Sequence, residues 1–162
     1  MRSVSATPAW TDDLRARLDE LVEGYRADLR SRLDGLSEEQ ARQRLVPSKT
    51  TLLGLVKHAT FFEAVWFDQA ITGRPLEELG VGTSVDGSFD LGPDDTIASV
   101  REAYQRRCEA SRQNLATVAL DDVVHGRGEL TVWALYLQVL RELAQHTGHA
   151  DILREQLLAD PT

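Results

Sequence analysis

The feature that most constrains the fold is a set of apolar residues that recur three and four positions apart in four separate segments. This spacing places apolar side chains on one face of an α-helix. It predicts helices from about Asp12 to Asp34, from Lys49 to Thr72, from just after Asp94 to Thr117 and from Thr131 to Leu158. Strand-like alternation is rare, so the sequence predicts an all-α four-helix bundle. The core candidates of the last helix are Leu135, Val139, Leu143, Ile152, Leu153 and Leu157.

The segments between the predicted helices carry capping and turn residues. Thr11 and Gly35 can cap the first helix, and Ser37 with Gln40 has the spacing of a capping box, which predicts a short helical turn to about Arg44. Stretch 74–92 is rich in glycine and lacks periodicity, so it is predicted to be a long connection between the second and third helices. Stretch 119–129 is predicted to be a polar turn.

Composition limits the classes of partner. The chain has 162 residues, of which 42% are hydrophobic, so one domain over 1–162 can bury a core without disulfides. Its formal net charge of −8 argues against nucleic acid or an anionic membrane as partner. The single cysteine, Cys108, is expected to pack as a small apolar residue, and no stretch approaches the roughly 20 apolar residues of a membrane span. We therefore expect a soluble, cytoplasmic protein.

Histidines fall on two of the predicted core helices. His58 stands in the apolar stretch TLLGLVKHATFFEAVWF, and the run RELAQHTGHADILRE carries Glu142, His146 and His149 at spacings of four and three. These spacings place the last three side chains on roughly one helical face. Helical bundles hold metal ions between facing helices through inward-pointing carboxylates and imidazoles. The pattern predicts a three-ligand metal site that joins the two helices.

Each of these residues also has a simpler interpretation. His58 alone is typical of a core histidine that is hydrogen-bonded to a backbone carbonyl or a carboxylate. A glutamate and a histidine four apart also occur on helix surfaces by chance. The joint pattern favours a metal site, because most of the four histidines lie on the two core helices. Zinc accepts a His, Glu, His set and keeps a position open, and nickel, iron and manganese accept the same ligands.

The motifs LLGLVKHATFFEAVWF and RELAQHTGHADILRE resemble those of the DinB-like superfamily, in particular the branch related to the metal-binding domain of mycothiol-dependent maleylpyruvate isomerase. The order of the four helices and the long middle connection are similar over nearly the whole chain. The resemblance implies a DinB-like bundle in which His58, Glu142 and His146 bind the metal. His149 falls at a position that is not a ligand in the superfamily. It is expected to orient a ligand or to pack beside one, with ligation as the alternative.

Further residues are candidates for a substrate pocket. Glu63 can orient a ligand or a polar substrate group, although a solvated or ion-paired glutamate is an equal alternative. Trp66 and Trp133 can line a pocket, but aromatic residues at helical spacing usually belong to the core. Gln138 stands where relatives in this branch often carry a further histidine, so that imidazole is missing here. His125 is predicted to lie on the surface.

The resemblance implies a thiol-dependent S-transferase or isomerase that uses mycothiol or a similar thiol, such as bacillithiol, and acts on a small electrophile. An open position on zinc favours the thiolate of such a thiol, which is the nucleophilic form. A second hypothesis is a non-catalytic metal-binding bundle with a stress or regulatory role. A third is a metal-free scaffold in which His58 and Glu142 simply form hydrogen bonds. A homodimer through an apolar helix face is compatible with such bundles.

Overall fold

Helices account for most of the computed structural model, which describes residues 13–159. The long helices are α1 (Leu14–Ser31), α3 (Leu52–Ala64), α5 (Ile97–Leu115) and α6 (Val132–Ala159), and the short ones are α2 (Glu38–Arg42) and α4 (Ala70–Thr72). A π-helical turn, Val65–Gln69, joins α3 to α4, a 3-10 turn covers Gly87–Phe89, and two short strands are β1 (Val123–Val124) and β2 (Leu130–Thr131). The prediction of an all-α bundle with a long middle connection is confirmed.

The start of α1 is fixed by an acidic N-cap. A side-chain oxygen of Asp13 accepts a hydrogen bond from the backbone N–H of Ala16 at 3.1 Å, which satisfies one of the free donors of the first turn. Thr11 and Asp12, at which the sequence predicted the cap and the start of the helix, lie outside the described residues.

The chain leaves α1 by a turn that ends in a glycine. The helix stops at Ser31, and the turn that follows reaches Gly35, whose φ of 73° lies in the left-handed region that favours glycine. The predicted capping box is then present, because the Ser37 hydroxyl accepts from the Gln40 N–H while the Gln40 amide oxygen accepts from the Ser37 N–H. Together these two signals place α2 close to its predicted position.

Helix α3 is the central element of the bundle. It packs against both α5 and α6, and nearly all of its residues are buried. A helix that is apolar on all sides is a core helix. It begins three residues later than the predicted Lys49, because the Thr51 hydroxyl accepts from the Gly54 N–H at 3.0 Å and caps it there.

A buried ion pair links α1 to α3. The Arg26 guanidinium donates from Nε and Nη2 to the two carboxylate oxygens of Glu63, at 2.8 and 2.6 Å. The exposed fractions of the two side chains are only 2% and 0%. Each charge would be very costly to bury alone, so the two-pronged geometry is what makes this position tolerable for either residue. Glu23 on α1 also accepts from Arg26 Nη1, at 2.6 Å.

Two local features of the structure differ from the predicted elements. The second predicted helix contains the π-helical turn near its end, and stretch 119–129, predicted to be only a turn, contains β1, whose Val123 pairs with Thr131 of β2. The loop of this hairpin packs closely against the end of the helix. The Gly126 N–H donates to the Ala70 carbonyl at 3.0 Å, and a Cβ at Gly126 would come within 1.9 Å of the Gln69 carbonyl oxygen. Only glycine fits at this contact.

The long connection between α4 and α5 is fastened to the bundle near both ends. It follows Gly73, which ends α4 with a φ of 77°, one residue after the predicted helix end at Thr72. The fully buried Asp68 carboxylate accepts from Arg74 at 2.7 Å and from Arg107 of α5 at 2.6 Å. Further along, the Lys57 ammonium donates to the carbonyl oxygen of Asp90 at 2.6 Å. The connection is therefore held against α3 and α5.

Helix α6 buries most of its predicted core stripe, namely Leu135, Val139, Leu143, Leu153 and Leu157. The prediction for Ile152 is wrong, since its side chain is 59% exposed, and Trp133 is likewise exposed rather than part of the core. No helix within residues 13–159 is long and apolar enough to cross a bilayer.

Cys108 lies in the core of α5 and is fully buried, as predicted. Burial raises the pKa of its thiol to about 12. The thiol is therefore protonated at neutral pH and packs as a small apolar group rather than as a nucleophile.

Removal of the carboxylate from the buried pair tests its contribution. Glu63→Ala leaves the buried Arg26 with Glu23 alone, so we expect the free energy of unfolding to fall by about 3 kcal/mol, as measured by urea denaturation. The matched control is Glu102→Ala, which breaks a solvent-exposed pair with Arg106 on α5 and should change it by about 0.5 kcal/mol or less. Similar losses in the two variants would contradict this account.

Candidate metal centre

Three donor side chains converge where α3 packs against α6. His58 projects from α3, and Glu142 and His146 project from α6. One donor atom from each residue lies within 4.8 Å of the other two. Both imidazoles are buried, whereas the Glu142 side chain is 20% exposed. The structure thus brings together the three residues that the sequence pattern and the family resemblance singled out.

The two histidines approach the same carboxylate oxygen. Oε2 of Glu142 lies 3.9 Å from Nε2 of His58 and 3.1 Å from Nε2 of His146. The two imidazole rings are nearly perpendicular, at 84°, with centroids 4.7 Å apart. Ligand atoms bound tetrahedrally to zinc at about 2.0–2.1 Å lie roughly 3.3–3.4 Å from one another. The two distances to Oε2 bracket that value, and all three donor atoms lie within 4.8 Å of one another, so small shifts would let the set bind a small divalent ion.

Two neighbours on α6 hold the Glu142 carboxylate. Its Oε1 accepts from Gln138 Nε2 at 3.3 Å and from Arg141 Nη2 at 3.2 Å. With Oε1 engaged in this way, Oε2 is the oxygen that faces the two imidazoles. Gln138 therefore acts on the site through Glu142, although it cannot supply the imidazole that relatives often carry at this position.

Both imidazoles are kept neutral. Burial, followed by the neighbouring His146, lowers the pKa of His58 to about 4. Burial also lowers the pKa of His146, although the Glu142 carboxylate acts in the opposite direction. Neutral imidazole is the form that binds metal ions, so at neutral pH neither ring has to lose a net charge before it can bind one.

The hydrogen-bond partner of His58 is a residue that the sequence analysis missed. Nδ1 of His58 lies 2.6 Å from Oγ of Ser88, in the 3-10 turn of the long connection. The expected partner was a backbone carbonyl or a carboxylate. His58 and Glu142 lie 3.9 Å apart and are not hydrogen-bonded to each other. Each has hydrogen bonds to other residues, as the metal-free hypothesis also expects, so metal analysis has to distinguish the two hypotheses. No local pattern marks Ser88, because thirty positions separate it from His58.

His149 lies beside the three donors, outside the group that they form. It is exposed, and its ring centroid is 5.7 Å from that of His146. It contributes to a cavity of about 290 Å³ between α6 and the segment that precedes α3. We call this the His149 cavity; its lining residues are Val46, Ser48, Thr50, His149, Ile152, Leu153 and Gln156.

The structure does not bring Glu63 and Trp66 to the donors. Glu63 is occupied by Arg26, which is the ion-paired alternative. Trp66 lies in the π-helical turn, about 12 Å along the helix from His58. Its ring packs against the core on one side and lies 5.2 Å from the Arg127 guanidinium. His125 is exposed, as predicted.

A larger cavity, of about 500 Å³, lies between α3, the long connection and α5. It reaches the donor group only through Ser88 and Phe61, and Ser88 contacts the Nδ1 side of His58. The three donor atoms lie on the other side of the imidazole, since Nε2 faces Glu142. Neither cavity is lined by a donor residue, and the His149 cavity comes near the donors through His149, whose ring lies 5.7 Å from that of His146.

Comparison with known proteins identifies a family. A family model described as mycothiol-S-transferase matches residues 17–159, which includes His58, Glu142 and His146. A search of curated proteins finds no match. The matched range covers α1 from its fourth residue, the other three long helices and the whole long connection.

Proposed function

The chain belongs to the mycothiol S-transferase family of the DinB-like superfamily, and on this premise we propose that it is a metal-dependent enzyme that joins mycothiol to a small electrophile. The family implies a small-molecule thiol as substrate. The observation that carries the proposal is the convergence of two neutral imidazoles and one carboxylate within 4.8 Å. Zinc is the proposed metal, and nickel, iron or manganese would accept the same donors.

His58, Glu142 and His146 would hold the ion, and three protein ligands leave a fourth position open. A divalent ion held by these residues would lower the pKa of a nearby thiol, and so would favour the thiolate. Glu142, the most exposed of the three, is the donor nearest to solvent, which favours entry of the thiol from its side. Gln138 and Arg141 keep the carboxylate oriented while substrates enter and leave.

In the proposed reaction the thiol loses its proton to solvent, and a lone pair on sulfur forms a bond to the electrophilic carbon. The leaving group departs with the electrons of the bond that breaks. In an isomerase the sulfur would later be expelled instead, and the thiol would be regenerated. Both reactions begin with the same thiolate. The donor set therefore accounts for the formation of the nucleophile, and it does not distinguish an S-transferase from an isomerase.

We place the electrophile in the His149 cavity. Ile152, Leu153 and Val46 supply apolar surface, and Ile152 is exposed although it is a large aliphatic residue. Small-molecule sites are mostly apolar with a few polar groups, and about 290 Å³ lies at the small end of their size range. His149 connects this surface to His146. The cavity suits a compact apolar electrophile.

The cytoplasmic location and the homodimer expected from the sequence stay predictions.

Removal of single donors tests the metal site. In protein without a histidine tag, made with added zinc, we expect about one ion per chain by elemental analysis. His58→Ala, Glu142→Ala and His146→Ala should each weaken zinc binding by at least about two orders of magnitude, because losing even an outer partner of a ligand costs about 10–100-fold. His149→Ala is the control and should retain the ion. A wild-type protein without bound transition metal would refute the site.

The transferase activity is tested by conjugation of mycothiol to chlorodinitrobenzene, from which chloride is released. We expect turnover with zinc-loaded protein, loss of turnover after chelation and recovery when zinc is added back, with bacillithiol and glutathione compared as other thiols. Equal rates with and without metal would rule out the mechanism. Bound metal without turnover on any thiol would favour the non-catalytic metal-binding bundle instead.

The location of the electrophile is tested by a pair of substitutions on α6. Ile152→Asn removes apolar surface from the His149 cavity, so we expect the KM for an apolar electrophile to rise about three- to tenfold, with zinc content unchanged. Leu158→Asn is the matched control, because Leu158 is also 59% exposed on α6 but does not line that cavity. Equal KM values in the two variants would place the electrophile elsewhere.

A further inference from the structure

The long connection crosses directly over His58. The Phe89 ring is stacked on the imidazole, with centroids 4.1 Å apart and planes 16° from parallel, and the Phe62 ring meets it edge-on at 5.5 Å. These two rings define the plane of the imidazole. They do not determine which of its nitrogens carries the proton, since aromatic carbon surfaces contact both forms alike.

Ser88 settles the position of that proton. A hydroxyl has one proton to donate, and Ser88 Oγ lies 2.6 Å from the carbonyl oxygen of Val85, which can only accept. The same Oγ lies 2.6 Å from Nδ1 of His58. With its proton directed to Val85, the hydroxyl must accept at this contact, so Nδ1 of His58 carries the hydrogen.

The consequence appears on the far side of the ring. A neutral imidazole has one N–H, so Nε2 of His58 bears a free lone pair. That nitrogen faces Oε2 of Glu142 at 3.9 Å, and the oxygen is also an acceptor. Two acceptors directed at the same place favour a cation between them. His146 has no corresponding support, because its Nδ1 is buried without a hydrogen-bond partner among the described residues.

We propose that Ser88 is the positioning residue of the metal centre: it accepts from Nδ1 of His58, fixes the tautomer whose Nε2 is free to bind a metal, and thereby makes the long connection part of the site. This inference rests on the proposed metal site and assigns to it a residue from outside α3 and α6. Its contact is a hydrogen bond to a ligand, and Ser88 does not bind the ion itself.

The backbone around Ser88 is built to hold the hydroxyl in place. The Ser88 N–H donates to the carbonyls of Ser84 and Val85, at 3.0 and 3.3 Å, and the side chain is buried. Two residues before Ser88, Asp86 accepts from Lys49 at 2.6 Å, which ties the turn to the segment before α3. The hydroxyl is thus fixed before a metal ion arrives, as preorganised support of a ligand requires.

The tautomer can be read directly in metal-free protein. With ¹⁵N-labelled histidine, long-range ¹H–¹⁵N correlation spectra distinguish Nδ1–H from Nε2–H, and the His58 signal is assigned by its loss in His58→Gln. We expect the Nδ1–H form in the wild type, a population shift towards Nε2–H in Ser88→Ala, and the wild-type form again in Ser88→Thr, which keeps the hydroxyl. Ser84→Ala is the control, because the Ser84 hydroxyl accepts from the Gly87 N–H in the same turn.

Zinc affinity provides the second measurement, by competition with a chromophoric chelator. Ser88→Ala should weaken it about 10–100-fold, and Ser88→Thr and Ser84→Ala should remain near the wild type. An Nε2–H tautomer in the wild type, an unchanged tautomer in Ser88→Ala, or a changed tautomer with unchanged zinc affinity would each overturn the assignment of Ser88. Failure of the wild type to bind zinc would instead refute the proposed metal function, and the tautomer spectra would show whether the serine acts on His58.

Discussion

The burial of α3 on nearly all sides is the constraint on which the rest of the structure depends. A buried ionisable side chain on a core helix needs a dedicated partner, since an unpaired buried polar group costs about 1–3 kcal/mol and a charge costs more. Glu63 is matched by Arg26 from α1, and His58 by Ser88 from the long connection. On its other side, His58 faces two donors from α6. The polar residues of one helix thus fix how three other parts of the chain pack.

Helical periodicity made most of this architecture predictable. The four long helices, the capping box and the long connection follow from local rules that operate over three or four residues. The π-helical turn and the small hairpin do not, because they form together: Gly126 packs against Gln69 and Ala70 across more than fifty positions. The prediction that Ile152 belongs to the core was wrong because it also depends on distant packing. Periodicity shows that a helix face is apolar, but it does not show whether another element covers that face.

In the candidate site too, some residues can be predicted from local spacing and others depend on how distant segments pack. Glu142 and His146 are one helical turn apart, so their proximity could be predicted from spacing alone. That His58 meets them depends on the packing of α3 against α6, which the family resemblance supplied and the residue pattern could only suggest. Ser88 had no signal of either kind, because a serine in a glycine-rich stretch is typical of a turn. Partners that approach from irregular segments are what sequence patterns miss most easily.

The anchors of the long connection also change its entropy. A free loop between α4 and α5 would lose much of its conformational freedom on closure, and the loss grows with loop length. Here contacts at Arg74, Ser88 and Asp90 divide the chain into shorter spans, each closed locally. Within the longest of these spans, Arg107 also donates to the Leu79 carbonyl, and the exposed Gly82 follows three residues later. Changes in length there would alter one short loop and leave the turn over His58 in register, so this surface can diverge while the candidate metal centre stays constant.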